Sequence, residues 1–393
     1  MPNNTSADYP ACADPCYIFL IPVPDTVAMK TLLPLAFLLL FTSAHAAPPA
    51  SDGEPLTAQR YSAQLGVGMD VDWARTERGI REFDPLAVRD FQQRGIRHVR
   101  VRVAGDATEE RLIHLRKIVE ACERYDIIPI ISYQADAFKA DPSAQNAAKV
   151  VAWWSAVANY FGSEHPLLGF DLIYEPADKL NHNPQQLNRL YGDVIKTIHH
   201  VDAQRMIFIA PRFRAVPEDL PTLKLPPQSS HYVLAQWHIF PWGPLRANGK
   251  YPWTSGTAAE KAAIRERINS ARHWQQKTGH VSWVGGWSAA QTVKTTPSAT
   301  TLAFASFMAC ELKKAGIPYA LNAASQFYDG EEGAWRPAQA ALLDAMMNPT
   351  CAPDSAPGHV RVKSSAPASA HGAPAAASTP ASAHPSPSSA SRG

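Results

Sequence analysis

The sequence predicts an α/β fold closed as an eight-stranded (β/α)8 barrel, the TIM-barrel architecture. Three observations predict it. Apolar runs of strand length alternate eight times with amphipathic helical stretches between residues 61 and 352. Most of those runs are apolar throughout, as in a parallel sheet buried on both faces, and not alternately apolar as in a sheet with one wet face. Eight such units in about 300 residues are the expected size of a closed barrel. The alternative is an open doubly wound sheet, but no Gly-rich dinucleotide fingerprint follows the first strand, and no internal repeat is visible.

The elements follow in order. The first strand is expected near Gln64–Met69 and its helix at Pro85–Gly95, where Val88 and Phe91 share a face. His98–Val103 is the second strand. Its helix, Thr108–Tyr125, carries Leu112, Leu115, Val119 and Cys122 at three- and four-residue steps, which is helical spacing. Ile127–Tyr133 precedes a helix at Ala144–Phe161, and Leu167–Tyr174 precedes one at Pro184–Val201. Met206–Ala210 leads into a Pro-rich loop. Tyr232–His238 is followed by the helix Ala258–Thr278, Val281–Val284 by Thr300–Ala315, and Ile317–Ala323 by Pro337–Met347.

Flanking segments differ in composition. Met29-Lys30, the apolar run Leu32–Phe41 and Ala44-His45-Ala46 read as a secretory signal peptide, too short in its apolar part to span a bilayer comfortably. Residues 1–46 are therefore a leader, with Met29 as the expected true start; the alternative is a translated, disordered 1–28. The expected location is secreted or periplasmic, with no stable membrane span after cleavage. Residues 47–60 are a polar lead-in to the barrel at 61–352. Residues 353–393 are almost entirely Ala, Ser, Pro, Gly and His, too poor in apolar bulk to offset the entropy of ordering, and read as a disordered tail, a linker or envelope spacer.

Composition narrows the function classes. Hydrophobic residues make up 46% of the 393, enough for a large core, and the formal charge of +2 gives no electrostatic reason to expect nucleic acid or an anionic membrane as partner. Cys12 and Cys16 fall in the leader. Three cysteines in an oxidising compartment suggest one pair and one buried thiol. Cys122, on the apolar side of its helix, is the expected thiol; Cys310 and Cys351, near two consecutive C-terminal helices, can pair. Three unpaired thiols are the alternative. No Cys/His spacing resembles a zinc site.

Active sites of closed α/β barrels lie where the strands end, so the strand ends carry the functional candidates. Strand four runs into Tyr174-Glu175-Pro176. A Glu at the end of an apolar strand is costly to bury without a partner or a task. A carboxyl that is protonated at working pH is what glycoside hydrolysis needs for its leaving oxygen. The structural alternative is a Glu paired with an Arg. Strand two alternates Val with Arg100 and Arg102, which share a side; pointing inward they would need carboxylates, pointing outward they would snorkel between helices. Strand six ends at Trp237-His238. His238 can bond a sugar or tune a carboxylate, or be a satisfied core residue. Trp73, Trp237, Trp242 and Trp287 are candidate platforms for a sugar ring.

These segments together resemble glycoside hydrolase family 5, the cellulase-like group of clan A, over about residues 61–350. Gly95-Ile96-Arg97-His98-Val99-Arg100 is similar to the family's strand-two arginine motif, Glu175-Pro176 to its acid/base motif Asn-Glu-Pro, and His238 with Phe240 to its strand-six His-x-Tyr. Val284-Gly285-Gly286-Trp287 resembles the strand-seven motif Gly-Glu-(Phe/Trp), and Phe327-Tyr328-Asp329 through Gly333-Ala334-Trp335 the ending after strand eight. The resemblance implies retaining hydrolysis of a β-linked polysaccharide or oligosaccharide, with no metal or other cofactor, Glu175 as acid/base, and Arg100 and His238 orienting carboxyl groups and sugar hydroxyls; a monomer is expected.

Four departures accompany it. The family's nucleophilic Glu falls at Gly286, its Asn before the acid at Tyr174, and its strand-eight Trp at Asn322, while the His pair after strand three is missing from Ser132-Tyr133-Gln134-Ala135-Asp136. Tyr174 and Asn322 thereby join the substrate-binding candidates. A glycine cannot form a glycosyl ester, so either another carboxylate has taken over or retention is lost. Asp70, Asp72, Asp136, Asp329, Glu331 and Glu332 are the candidates, each equally readable as a solvated loop acid. A carboxylate roughly 6.5–9.5 Å from Glu175 predicts inversion, one at roughly 5–5.5 Å retention. On the sequence alone, Glu175, Arg100 and His238 favour a hydrolase; Gly286 favours a catalytically inactive, glycan-binding barrel of the cell envelope.

Overall fold

Eight parallel strands pair in sequence order, and the last returns to the first: β1 (Val67–Ala74), β2 (His98–Val103), β3 (Ile128–Tyr133), β4 (Gly169–Asp171), β5 (Met206–Ile209), β6 (Val233–His238), β7 (Ser282–Trp287) and β8 (Tyr319–Leu321). The chain is thus a closed (β/α)8 barrel. This is a computed structural model, and it describes residues 55–225, 231–239, 253–289 and 295–351. The expected leader, the tail from 353, Phe240 and Trp242 lie outside the described residues.

The outer layer is built by helices with ordinary start and stop signals. These are α1 (Ala58–Leu65), the short α2 (Glu77–Arg81), α3 (Pro85–Gln93), α4 (Glu109–Arg124), the short α5 (Asp136–Ala140), α6 (Ala144–Phe161), α7 (Pro184–Val201), a four-residue turn α8 (Arg212–Ala215), α9 (Ala258–Thr278), α10 (Ala299–Lys314) and α11 (Ala340–Met347). Thr108 caps α4, whose first turn holds Glu109 and Glu110 against the helix dipole. Thr257 and Glu260 form a capping box on α9, and Gly279 ends it in the left-handed region that suits glycine. No helix among the described residues is long and apolar enough to cross a membrane. Cys310 on α10 is joined to Cys351, 41 residues on, and Cys122 is a buried free thiol.

Strand parity sorts the barrel's two faces. Val99, Val101, Phe170, Ile207, Trp237, Val284 and Tyr319 point outward and merge with the helices in one large core. The inward residues near the strand starts, Ile128, Ile130, Met206, Phe208, Leu234 and Trp283, pack with Tyr61 and Leu65 of α1, which plugs that end of the barrel. Two glycines make this layer possible. A Cβ on Gly68 would lie 2.2–2.3 Å from the His98 ring, and one on Gly169 would lie 2.8 Å from the Tyr61 hydroxyl. His98 accepts from the Trp283 indole at Nε2 (3.1 Å), so its Nδ1 carries the proton directed at the Leu65 carbonyl (2.6 Å). Burial holds its pKa down at about 4, so it is a neutral core residue.

Two strands differ from expectation for a physical reason. β1 does not begin at Gln64, which belongs to α1; it begins at Val67 and continues through Asp70 and Asp72 to Ala74. An apolar criterion stops at Met69, whereas the real strand carries acids inward to meet arginines on β2. β7 likewise continues past Val284 through two glycines to Trp287. Opposite β8, Val284 pairs with Tyr319 but Trp287 with Leu321, so one extra residue bulges at Gly285-Gly286.

Candidate functional site

Toward the strand C-termini the barrel interior changes from apolar to charged. Arg100 points inward from the middle of β2 and is completely buried. Its Nε and Nη2 donate to the two oxygens of Asp70 on β1 (2.5 and 2.8 Å), and its Nη1 donates to Gln236 Oε1 on β6 (3.0 Å) and lies 3.4 Å from Asp171 Oδ2 on β4. Asp171 also accepts from the Ser132 hydroxyl (2.6 Å) and the Gln236 amide (3.1 Å). Asn322 after β8 donates to Asp70 Oδ2 (2.6 Å). Thus the charge on Arg100 is compensated by Asp70, with Gln236 and Asp171 completing its contacts, and each buried oxygen has donors, which is the condition for burying such groups.

The two buried acids titrate in opposite directions. Burial alone would raise Asp70, but bidentate Arg100 overrides it and holds the carboxyl below its ordinary range. Asp171 has only a glancing contact with Arg100, and there burial wins, pushing it up to about 7. A carboxyl whose folded pKa exceeds its unfolded value of roughly 3.9 contributes stability at low pH that is lost as pH rises through the folded value. Wild-type stability, compared with Asp171→Asn, should therefore fall by roughly 1.4 kcal/mol per pH unit between about pH 4 and pH 7. Urea titrations of both proteins across that range test this; a pH-independent difference would show that Asp171 is ionised throughout.

Above this layer sits Glu175. It follows β4 with a positive φ of 48°, and its side chain is 14% exposed. Its Oε1 lies 3.2 Å from His238 Nδ1, and its Oε2 accepts from Arg214 Nη1 at 2.9 Å. Because Arg100 Nη1 can only donate, His238 Nε2 (3.1 Å away) is the acceptor, and the ring proton sits on Nδ1, facing Glu175. Burial lowers the His238 pKa, so a neutral imidazole directs N–H at the carboxylate. Burial would raise Glu175, but His238, Arg214 and Arg100 outweigh it and hold Glu175 below its ordinary value. In this geometry both oxygens of Glu175 have partners, and these hold its pKa below the ordinary carboxylate range.

Arg214 reaches Glu175 from an unusual turn. Phe213, Arg214 and Ala215 have consecutive φ values of 55°, 59° and 65°, none of them glycine. Such residues cost roughly 1–2 kcal/mol each. The turn is pinned where Arg212 grips Asp219 (2.8 and 3.0 Å), the Asn181 side chain accepts from Phe213 N–H (2.8 Å), and Arg214 N–H donates to the Pro176 carbonyl (2.8 Å).

The other sequence candidates fall in different places. Tyr174 is buried, its ring lying over Arg100 at 4.6 Å and its hydroxyl accepting from Arg102 (3.2 Å), so it covers the ion network. Asn322 supports Asp70 and Tyr174. Trp237 and Trp287 are fully buried between barrel and helices, against the expectation of sugar stacking. Their parity is opposite to that of Gln236 and His238, and Trp237 donates to Ser282 Oγ (3.0 Å). Trp73 packs on Phe83 and Phe91. Asp72 is 37% exposed and pairs with Arg102 (2.6 Å) at the end of β1. Asp136 pairs with Lys139 (2.7 Å) and is largely solvated. Asp329 accepts from the backbone of Glu331 and Glu332, so the last residue of a short strand, β9 (Tyr328–Asp329), ties the turn that leads to its antiparallel partner, β10 (Ala334–Trp335). Sequence reasoning missed Asp171, Ser132, Gln236 and Arg214. The first three share the inward parity of Arg100, a signal that was available; Arg214 had none.

At the expected nucleophile position, Gly286 stands in register with His238. A Cβ on its neighbour Gly285 would fall 2.3 Å from Gln236 Oε1, 2.6 Å from Arg100 Nη1 and 2.9 Å from His238 Nε2, so the network fills that space. Among the described residues no cluster of His, Cys, Asp or Glu is arranged to hold a metal ion.

A closed barrel with a buried arginine network and a carboxylate after its fourth strand defines a barrel of the glycoside-hydrolase class. Residues 67–326 match the model of the cellulase family, and the chain belongs to glycoside hydrolase family 5. Solved structures agree on the fold. The endoglucanase Cel5A from hyperthermophilic Thermotoga maritima has a TM-score of 0.65 at 16% identity, over 74% of this chain and 99% of that one. The broad-specificity endoglucanase from Clostridium acetobutylicum gives 0.63 at 16%, over 74% and 99%. The cellulose synthase subunit Z from Clostridioides difficile gives 0.61 at 19%, over 72% and 99%. No curated protein matches the chain.

Proposed function

We propose that this family 5 barrel binds a β-linked glycan at its C-terminal end, around Glu175, without retaining hydrolysis. The observation that carries the reading is the strand-seven position in register with His238, where a nucleophile would stand. Gly285-Gly286 offers no carboxylate beside His238. His238 and Arg214 partner the two oxygens of Glu175 and draw its pKa down. Retention needs a nucleophilic carboxylate within roughly 5–5.5 Å of a second carboxyl that carries the acid proton. In lysozyme-type sites a raised pKa supplies that proton; here the raised carboxyl is Asp171, completely buried beneath the site.

A second reading, hydrolysis with inversion, is favoured by one observation. Asp72 is partly exposed on the inward parity of β1 and is tied through Arg102 to Tyr174, next to Glu175. A base displaced in this way leaves room for water.

The test incubates the purified barrel with cello-, manno- and xylo-oligosaccharides, measuring binding by calorimetry and new reducing ends by assay. Binding without new reducing ends, retained within about threefold in Glu175→Gln, is the expected result. Reducing ends that vanish in Glu175→Gln would instead establish hydrolysis, and lack of binding to every glycan would overturn both readings.

A further inference from the structure

We infer that Arg214 is the recognition residue for an acidic sugar, so that the preferred glycan carries a carboxylate on the unit bound beside Glu175. The inference rests on the glycan-binding reading above.

Arg214 is 71% exposed, and among the described residues its one acidic partner is Glu175. Its backbone is fixed at both ends, by Pro176 and by the Arg212–Asp219 and Asn181 contacts, so the guanidinium is delivered to one place at the cost of three left-handed residues. Strain of this kind persists where the surroundings over-determine it, and it gathers at ligand sites. A guanidinium presents a planar fork suited to a carboxylate. Glu175 takes one donor of that fork, Nη1, through its Oε2 (2.9 Å).

Glu175 does not depend on Arg214 alone, since the imidazole N–H of His238 faces its other oxygen. A ligand carboxylate can therefore displace Glu175 from Arg214 while Glu175 keeps a partner. A neutral sugar offers only hydroxyls in exchange for a charge-assisted bond. The charge balance points the same way. Glycine at 286 removes a carboxylate from the strand end facing His238. Arg102, nearby on Tyr174, has a buried Nε–H with no acceptor. The same turn exposes Phe213, one of three large hydrophobic side chains exposed among the described residues, with the Arg212 guanidinium over one face of its ring at 5.0 Å.

The test compares a β-1,4-linked glucuronic acid oligosaccharide with a neutral cello-oligosaccharide of equal length, by calorimetry at low and high salt. The acidic ligand is expected to bind about tenfold more tightly, with the margin shrinking in salt. Arg214→Gln should abolish the preference and Arg214→Lys should keep part of it. Glu175→Gln should tighten the acidic ligand further, because the competing carboxylate is gone, and this gain should vanish in the Arg214→Gln background; a gain that survives there reports only relief of charge repulsion and counts against the inference. Equal binding of both ligands, or a preference unchanged in Arg214→Gln, overturns the inference while leaving glycan binding intact. If neither ligand binds, the underlying reading and this inference fall together.

Discussion

Replacing Arg100 by methionine is expected to lower the unfolding free energy by about 3–5 kcal/mol at neutral pH. The side chain is wholly buried and donates to both oxygens of Asp70. Without it, Asp70 is left ionised in the barrel interior with only the Asn322 amide and the more distant Arg102, and Gln236 loses its donor. Methionine fills much of the volume, so the loss reports the uncompensated charge more than a cavity. The pH dependence has a definite sign. Arg100 depresses the folded pKa of Asp70, a contribution present above the unfolded value of roughly 3.9 and lost as pH falls through the folded one. The variant should therefore be most damaged near neutrality and least in acid, where Asp70 takes a proton. The double variant Arg100→Met/Asp70→Asn should recover part of the loss. Urea denaturation at pH 4 and pH 7 decides it, and a single-variant loss below about 1 kcal/mol would mean that solvent already relieves the pair.

Gly285→Ala is expected to cost about 3 kcal/mol or more, an unusual penalty for one methyl group. Its Cβ would meet three polar atoms at 2.3–2.9 Å. None belongs to a loose surface chain: Gln236 is held by Arg100 and Asp171, and His238 lies between Arg100 and Glu175. Overpacking alone costs about 1–3 kcal/mol, and hydrogen bonds to the charged Arg100 add about 1.5–3 each when broken. The control is Gly192→Ala on α7, where an added Cβ meets nothing within 4 Å. That substitution should stabilise by about 0.5–1 kcal/mol, as expected for alanine over glycine inside a helix. If the two variants prove equally stable, the network is not packed against Gly285.

Both predictions concern groups that were legible one strand at a time but not as an assembly. The eight strand–helix alternations, the shared side of Arg100 and Arg102, and Glu175 at the end of the fourth strand follow from local periodicity, which depends only on neighbours in the chain. The partners of Arg100 do not. Asp70, Asp171 and Gln236 lie 30, 71 and 136 residues away, and only closure of the barrel brings them to one guanidinium. Parity within a strand can be read from alternation, but which parity faces inward is set by the whole ring; this is why Trp237 and Trp287 resemble sugar platforms in sequence and are core residues in the fold.

By itself, then, the sequence determined the barrel and the charged residues at its strand ends, because the length of an apolar run and the 3.6-residue period of a helix depend only on neighbours along the chain. Tertiary structure alone decided that Glu175 is drawn below the ordinary carboxylate range, that Asp171 is the carboxyl driven upward, and that Arg214 arrives on a left-handed turn built without glycine. Those outcomes depend on the dielectric surroundings and on charges a few ångströms away through space, and neither quantity is written in the order of residues along the chain.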